Sequence, residues 1–272
     1  MRSRRPATLH SIFERSIHEQ GRALVGWSAG MVGLAVVLLA LFPSLRGNVE
    51  ISKLINAYPE TFRTMFAVAD FTTGPGYLRA ELFSLTAPML LVILAVLWGS
   101  DSVAGEEQRG TIDLLMANPV SRARVVLEKW GTLGAAVGIV TAALGVALAV
   151  GDAALGMGVP ADRLVAALVA TGLLAIVFGS TAFAIAAATG RRGLARGVTA
   201  ALGVASYLVS SLAGVVRWVE PVRPASPWYH ALGVDPIANG FALWHLAVLA
   251  LLTLCLGGLA VAGFARRDLG VH

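Results

Sequence analysis

The chain has 272 residues, of which 57% are hydrophobic and 14% charged, whereas about a quarter of the residues of a soluble globular domain are charged. This composition excludes an ordinary soluble domain and predicts an integral membrane protein. The net charge of +5 comes almost entirely from arginines between apolar stretches, where positive charge sets membrane orientation. We therefore expect no nucleic-acid binding.

Six stretches are long and apolar enough to cross a bilayer, which takes about 20 helical residues. None of them contains Asp, Glu, Lys or Arg, and their only ionisable side chains are those of Tyr207, His245 and Cys255. The six predicted spans are 23–42, 82–100, 130–150, 164–190, 197–216 and 241–265. They predict an all-α bundle that forms a single transmembrane domain over residues 1–272.

The placement of positive charge predicts the orientation of this bundle. With both termini in the cytoplasm, two of every three lysines and arginines fall on the cytoplasmic side, as membrane topology requires. The six tryptophans fall at or near predicted span ends, where an aromatic belt is expected. We expect a multi-pass protein of the cell membrane with both termini cytoplasmic.

The segments between the spans have predicted roles of their own. Residues 1–22 carry apolar side chains at helical spacing and predict an amphipathic helix on the cytoplasmic membrane surface. Residues 43–81 and 217–240 are predicted to be outer segments. The first is expected to form a helical cap with a turn at 72–76. Residues 191–196 are predicted to be a cytoplasmic loop. Within the third span, Gly134 and Gly138 have the spacing of close helix packing, and Cys255 is expected to be a packed apolar side chain.

The cytoplasmic segment 101–129 is the most organised connection. Ile112, Leu115 and Met116 share one face of a short predicted helix, and Asn118 and Pro119 predict its end and the cap and first residue of a second. The second helix has one face formed by Val120, Ala123, Leu127 and Trp130. It also carries an ion pair between Arg124 and Glu128, one helical turn apart. This spacing fits a stiff projecting hairpin, and an ordinary amphipathic loop stays an alternative.

This segment closely resembles the cytoplasmic coupling segment of ABC-2 type permeases. The matching residues are Glu106, Glu107, Gly110, Thr111, Leu114, Leu115, Pro119, Val120, Ser121, Arg122 and Lys129. Ile112 stands where the family usually has Leu, and Met116-Ala117 where a Leu-Ser pair is commoner. Residues 188–195, 226–229 and 264–269 resemble the family's loop between spans four and five, its outer segment before span six and its C-terminal ending.

The resemblance implies the membrane-spanning subunit of an ABC exporter, working as a homo- or heterodimer of permeases with two ATP-binding subunits. ATP and Mg would bind in the partner, and this chain would hold no cofactor or metal and catalyse no reaction. The path would lie between the two permease bundles in contact with membrane lipid. The residues that would dock on the ATP-binding subunit are Glu106, Glu107, Arg109, Gly110, Thr111, Ile112, Leu114, Leu115, Met116, Pro119, Val120 and Arg122.

Other classes fit the residues less well. The chain lacks the glycine-rich phosphate loop with its lysine, so ATP hydrolysis needs another subunit. An ion-coupled carrier is disfavoured because the spans lack acidic and basic side chains. Ser180 with His245 suggests an intramembrane serine protease, but the glycines around that serine are missing, and Glu106-Glu107 lacks the companions of a metalloprotease. A membrane scaffold that carries the coupling segment without transporting remains the general alternative.

Overall fold

The structure is a computed structural model that describes residues 21–59, 70–102, 104–105, 121–214 and 216–266. These ranges contain helices and no strands. The elements are α1 (Gly21–Leu45), α2 (Val49–Ala57), α3 (Gly74–Leu78), a π-helical turn (Arg79–Phe83), α4 (Thr86–Ser102), α5 (Arg122–Leu155), α6 (Ala161–Thr189), α7 (Arg192–Leu212), a 3₁₀ turn (Glu220–Ala225), α8 (Pro227–Leu232), α9 (Pro236–Asn239) and α10 (Leu243–Ala265). The amphipathic helix predicted for 1–22 falls almost wholly outside the described residues.

Six helical stretches are long and apolar enough to cross a membrane. The second is the continuous run Gly74–Ser102, which joins α3, the π-helical turn and α4, and the other five are α1, α5, α6, α7 and α10. The predicted all-α six-span bundle is therefore confirmed. The most buried span is α6, which lies at the centre and packs against α4, α5, α7 and α10. The other spans leave apolar side chains such as Val146 and Leu254 on the outside of the bundle, as lipid contact requires.

Contacts between helix ends show that successive spans run in opposite directions. At one end, Arg46 after α1 donates to the Leu155 carbonyl at the end of α5, 2.9 Å away. At the other, Lys129 of α5 donates to the carbonyl of Ser102, the last residue of α4. We call the end formed by residues 101–102, 104–105, 121–130 and 190–196 the arginine end. The opposite end, which contains residues 213–214 and 216–242, is called the re-entrant end, and residues 216–242 are called the re-entrant segment.

The second span starts earlier than the sequence predicts. The sequence predicts a turn at 72–76 and a span that begins at 82. In the structure Thr73 is the N-cap of α3, and its hydroxyl accepts a hydrogen bond from the Gly76 amide at 3.2 Å. Pro75 occupies the first helical turn, where its missing N–H costs nothing. A side chain at Gly74 would collide with the Met157 carbonyl. This glycine therefore allows the start of the span to pack on the turn after α5.

The third span also begins differently. The prediction places the cap of the second coupling helix at Asn118, which lies outside the described residues, but the helix containing Ala123 and Trp130 starts at Arg122. Its N-cap is Ser121, in an extended conformation, with the hydroxyl accepting from the Arg124 amide. From there α5 continues without a break into the third span. At 34 residues it is about 50 Å long, well beyond the roughly 30 Å of a hydrocarbon core.

Part of the predicted outer segment 217–240 folds back into the bundle, namely the helix α8, whereas the 3₁₀ turn before it has no buried residues. Trp228 of α8 is buried, and its ring packs against Phe178, near the middle of α6, with ring centroids 6.1 Å apart. Its indole N–H donates to the Gly203 carbonyl in the middle of α7. Irregular backbone at this depth is tolerated only where protein surrounds it, and α8 packs against α6, α7 and α10. The expectation that Trp228 belongs to an interfacial belt is therefore wrong.

Two smaller expectations also fail. A Cβ added to Gly134 or Gly138 would meet no atom within 4 Å, so their spacing does not mark a helix contact within the chain. The close glycine contacts lie elsewhere, with Gly99 against the Gly179 carbonyl and Gly151 against Leu39. Cys255 is exposed on the outside of α10 rather than packed.

Candidate functional site

The predicted coupling residues are divided by the limits of the described structure. Residues 106–120 lie outside it, so Glu106, Glu107, Arg109 and the apolar face at 112–116 stay predictions. Arg122 is described and exposed in the first turn of α5. The structure also describes both flanks of the segment, at 101–102 and 104–105 and from Ser121 onward, and these flanks are fastened to each other and to the neighbouring helices.

A buried lysine joins the two flanks. The side chain of Lys129 is 4% exposed, and its Nζ donates to the Ser102 carbonyl at 2.8 Å. That carbonyl belongs to the last turn of α4, where helix geometry leaves backbone oxygens without intrahelical partners and a positive charge is favourable. Because a buried charge is tolerated only with such partners, this contact fixes the distance between the ends of the second and third spans.

An acidic residue fastens the same flank to the fifth span. Asp101 accepts from Arg192 at 3.2 Å, and Arg196 Nη2 lies 3.8 Å from the same carboxylate oxygen. Arg196 also donates from Nε to the Ser100 hydroxyl at 2.9 Å. Both arginines belong to the first turns of α7, so the end of the second span and the start of the fifth are held together.

Apolar packing completes this arrangement. Ala104, Ala186 and Ala195 are fully buried against one another, so the chain leaving α4 passes between the end of α6 and the start of α7. A Cβ added to Gly105 would lie 2.6 Å from Asp101 Oδ1, so a larger residue there would require the Asp101 carboxylate to shift. The helix pair α6–α7 turns at Gly190, whose φ of 67° is left-handed and suits a residue without a side chain.

We call Asp101, Ser102, Lys129, Arg192 and Arg196 the arginine-end frame. It links the end of span two to the starts of spans three and five, through described residues on either side of 106–120 in the sequence. The sequence prediction counts Lys129 as part of a motif and the arginines as orientation signals. The sequence does contain one signal that Lys129 links two spans. It lies beside the start of an apolar span, and a lysine buried there must find a hydrogen-bond partner.

Replacement of Asp101 by asparagine tests how much the exposed part of the frame contributes to stability. The side chains of Asp101, Arg192 and Arg196 are 28%, 45% and 38% exposed, and such ion pairs contribute about 0–1 kcal/mol. We expect Asp101→Asn to lower the midpoint of thermal unfolding slightly, and about 1 M salt to remove the difference by screening. Glu50→Gln at the opposite end is the control, and a large, salt-independent loss for Asp101→Asn would contradict the prediction.

The groups that suggested an intramembrane protease lie in different surroundings. The hydroxyl of Ser180 is fully buried and accepts from the indole N–H of Trp130 at 2.8 Å. The imidazole of His245 lies instead 2.9 Å from the imidazole of His230. Ser180 and His245 therefore have different hydrogen-bond partners and form no nucleophile–base pair. In the described ranges no three His, Cys, Asp or Glu side chains converge as a metal site would require.

The fold and the frame define a multi-pass membrane protein, a six-helix bundle whose second and third spans are fastened to each other at Ser102 and Lys129. The family model described as ABC-2 family transporter protein matches residues 31–269. The chain therefore belongs to the ABC-2 transporter family and is a permease component of an ABC transporter. Members of this family are non-catalytic membrane subunits, and membership implies association with an ABC ATP-binding subunit. A comparison with curated proteins found no match.

Proposed function

We propose that this chain is the permease of an ATP-driven exporter and couples to a separate ATP-binding subunit through residues 106–122. The arginine-end frame is the observation that supports this most directly. A segment that only connected two spans would need no buried lysine and no ion pairs to a third span at its base. A segment that receives force from a partner needs such an attachment, because otherwise its movement would be lost in local flexing.

The proposed docking surface has an apolar centre and a charged rim. Ile112, Leu115 and Met116 would fill a cleft on the ATP-binding subunit, since buried apolar side chains at the centre of an interface contribute most of its binding energy. Glu106, Glu107, Arg109 and Arg122 would form the polar rim. Gly110, Thr111, Leu114, Pro119 and Val120 would shape the backbone between them. Closure of the ATP-binding subunits would then tilt spans two, three and five together.

The remaining parts of the proposal follow from the family and from the charge pattern. Two ATP-binding subunits would carry ATP and Mg, and a second permease, identical or related, would form the other wall of the path. The arginine end would face the cytoplasm, with both termini on that side of the cell membrane. The re-entrant end would then face outward and contain the exit.

A double substitution in the predicted anchor tests this proposal. We expect the tagged wild-type chain, purified in mild detergent, to bring an ATP-binding subunit with it, as identified by mass spectrometry. Leu115→Asp with Met116→Asp should lower that recovery at least about tenfold, because two central apolar anchors each contribute about 1–2 kcal/mol or more. Burying two carboxylates in an apolar cleft adds a desolvation cost to this loss of apolar contact.

The matched control places two aspartates on an exposed apolar surface at the opposite end. Val49 and Leu54 of α2 are 63% and 65% exposed, so Val49→Asp with Leu54→Asp should leave recovery of the ATP-binding subunit unchanged. Equal recovery with all three chains would contradict docking through 112–116. Failure to recover any ATP-binding subunit with a folded wild-type chain would favour the scaffold alternative.

A further inference from the structure

Two histidines meet at the re-entrant end in an arrangement that the coupling mechanism does not use. His230 belongs to α8 and is buried, and His245 belongs to the first turn of α10. Their Nδ1 atoms are 2.9 Å apart. The other ring nitrogen of His230, Nε2, lies 2.8 Å from the Pro224 carbonyl oxygen. The two imidazoles therefore form a chain of hydrogen bonds that starts at a fixed acceptor.

That acceptor determines where the protons are. A carbonyl oxygen can only accept, so His230 must donate from Nε2, and in a neutral ring its Nδ1 is then an acceptor. His245 must consequently donate from its own Nδ1. One additional proton can be taken up on His245 Nε2, for which the described residues provide no hydrogen-bond partner, and it makes the contact charge-assisted and stronger. A further proton can only enter on His230 Nδ1, and two N–H groups would then face each other.

This contact occupies a mechanically important position. On one side, α8 is held to α7 by the Ser226 hydroxyl, which donates to the Ser206 carbonyl at 2.7 Å, and by Trp228. On the other side, the histidine pair is the one hydrogen bond that joins α8 to α10 among the residues the structure describes. Loss of the pair would therefore leave α8 attached to α10 by apolar packing alone, with Ala231 and Leu249 in one buried cluster, while the hydrogen bonds to α7 remain.

The surroundings do not neutralise a doubly charged pair. The Tyr229 ring packs edge-on against both imidazoles, and the Arg223 guanidinium lies 4.8 Å above that ring. Asp235 is paired with Arg79 at 2.6 Å, and Asp152 accepts from the Val159 amide. Further ionisable groups at this end are Tyr207 on α7, Asp162 and Arg163 on α6, Arg217 and Glu220 around the 3₁₀ turn, and Glu81 on the π-helical turn. In the described structure no carboxylate contacts either imidazole, and the nearby Arg223 opposes further positive charge.

We propose that His230 and His245 form an acid-released latch, which holds the re-entrant segment against α10 while at most one ring is charged and releases it when both are charged. Interacting sites such as these lose their protons in two separate steps. Release therefore requires the second proton as well as the first. The latch depends on the re-entrant end alone and not on docking at 106–122, so either proposal can fail without the other.

Hydrogen exchange of the purified full-length chain tests the latch at two pH values, about 7.5 and about 4.5, on either side of ordinary histidine titration. His245→Asn is the informative variant, because its carboxamide can donate to His230 or, after rotation, accept from it, at any pH. His245→Leu removes the contact at every pH. Comparing chains at the same pH removes the intrinsic pH dependence of exchange.

We expect wild type and His245→Asn to exchange alike over residues 227–239 at the higher pH, with His245→Leu at least about fivefold faster. At the lower pH wild type should match His245→Leu, whereas His245→Asn should remain about fivefold slower and α6 should stay protected in all three. Equal exchange of wild type and His245→Asn at both pH values would overturn the latch. Nitrogen-15 spectra of the histidine rings give an independent check, and two charged rings with 227–239 still protected would overturn it as well.

Discussion

Replacement of Gly99 by valine should unfold or grossly destabilise the bundle. Gly99 of α4 faces Gly179 of α6, and a side chain there would enter the space of the Gly179 carbonyl oxygen and lie 3.3 Å from the Phe183 backbone nitrogen. Because these contacts are to backbone, no change of rotamer can relieve them. We expect a loss of about 3 kcal/mol or more, at the upper end of the range for overpacked cores.

The size of the effect follows from the position of the contact. The pair α4–α6 is the most extensive helix contact in the described structure, and without a hydrophobic driving force membrane helices depend on close packing between small residues. On the opposite side of the same contact, a side chain at Gly179 would lie 2.9 Å from the Ala95 Cβ. Separation of these two helices would therefore break the centre of the fold.

Gly138→Val is the matched control for Gly99→Val. Gly138 is exposed on α5, and a Cβ added there would meet no atom within 4 Å, so the change should stay within about 0.5 kcal/mol. The measurement is the thermal midpoint of unfolding in detergent, with size-exclusion chromatography to separate folded from aggregated chain. Equal midpoints for both variants would show that the α4–α6 contact is looser than the structure indicates.

The six spans could be predicted because their signal is local. A stretch such as 164–190 lacks charge over the full thickness of a bilayer, and no packing detail is needed to recognise it. The helix ends were less accurate, since Gly74, Pro75 and Gly76 are typical turn residues as well as the start of α3. Whether they form a turn or a helix is decided by the Thr73 cap and by close approach to Met157, which hydropathy does not contain.

The re-entrant segment could not be predicted for a different reason. Its helices α8 and α9 have six and four residues, too few to show a helical period. Trp228 between polar neighbours resembles an interfacial tryptophan, and only its contact with Phe178 reveals its depth. The histidine pair depends on the same fold-back, because His230 meets His245 only when α8 returns into the bundle.

The candidate site was predicted in part. The sequence identified the segment 106–122 through resemblance and amphipathic spacing, and those residues remain predictions. The frame at its base was missed as a unit, because Lys129 meets Ser102 across 27 positions and Asp101 meets Arg192 across 91. Such partners follow from the order in which spans pack, and that order is not evident from hydropathy.

Lys129→Met should leave the complex with the ATP-binding subunit assembled but uncoupled. Methionine keeps the length and helix preference of lysine, and its apolar side chain carries no desolvation cost at a buried position, which offsets the lost hydrogen bond to the Ser102 carbonyl. We therefore expect a change in unfolding free energy within about 1 kcal/mol. The attachment to the Ser102 carbonyl would be lost, however, so the second and third spans could separate when residues 106–122 move.

The measurement is the rate of ATP hydrolysis in the purified complex relative to the isolated ATP-binding subunit. The permease-dependent part of that rate should fall at least about fivefold in Lys129→Met, since coupling energies of about 1–3 kcal/mol correspond to changes of about 5- to 150-fold. Lys53→Met, at the only other lysine and exposed on α2, should retain wild-type coupling. If Lys129→Met hydrolyses ATP as the wild-type complex does, the frame does not transmit force. If it no longer binds the ATP-binding subunit, Lys129 shapes the docking surface and does not act as the link between spans.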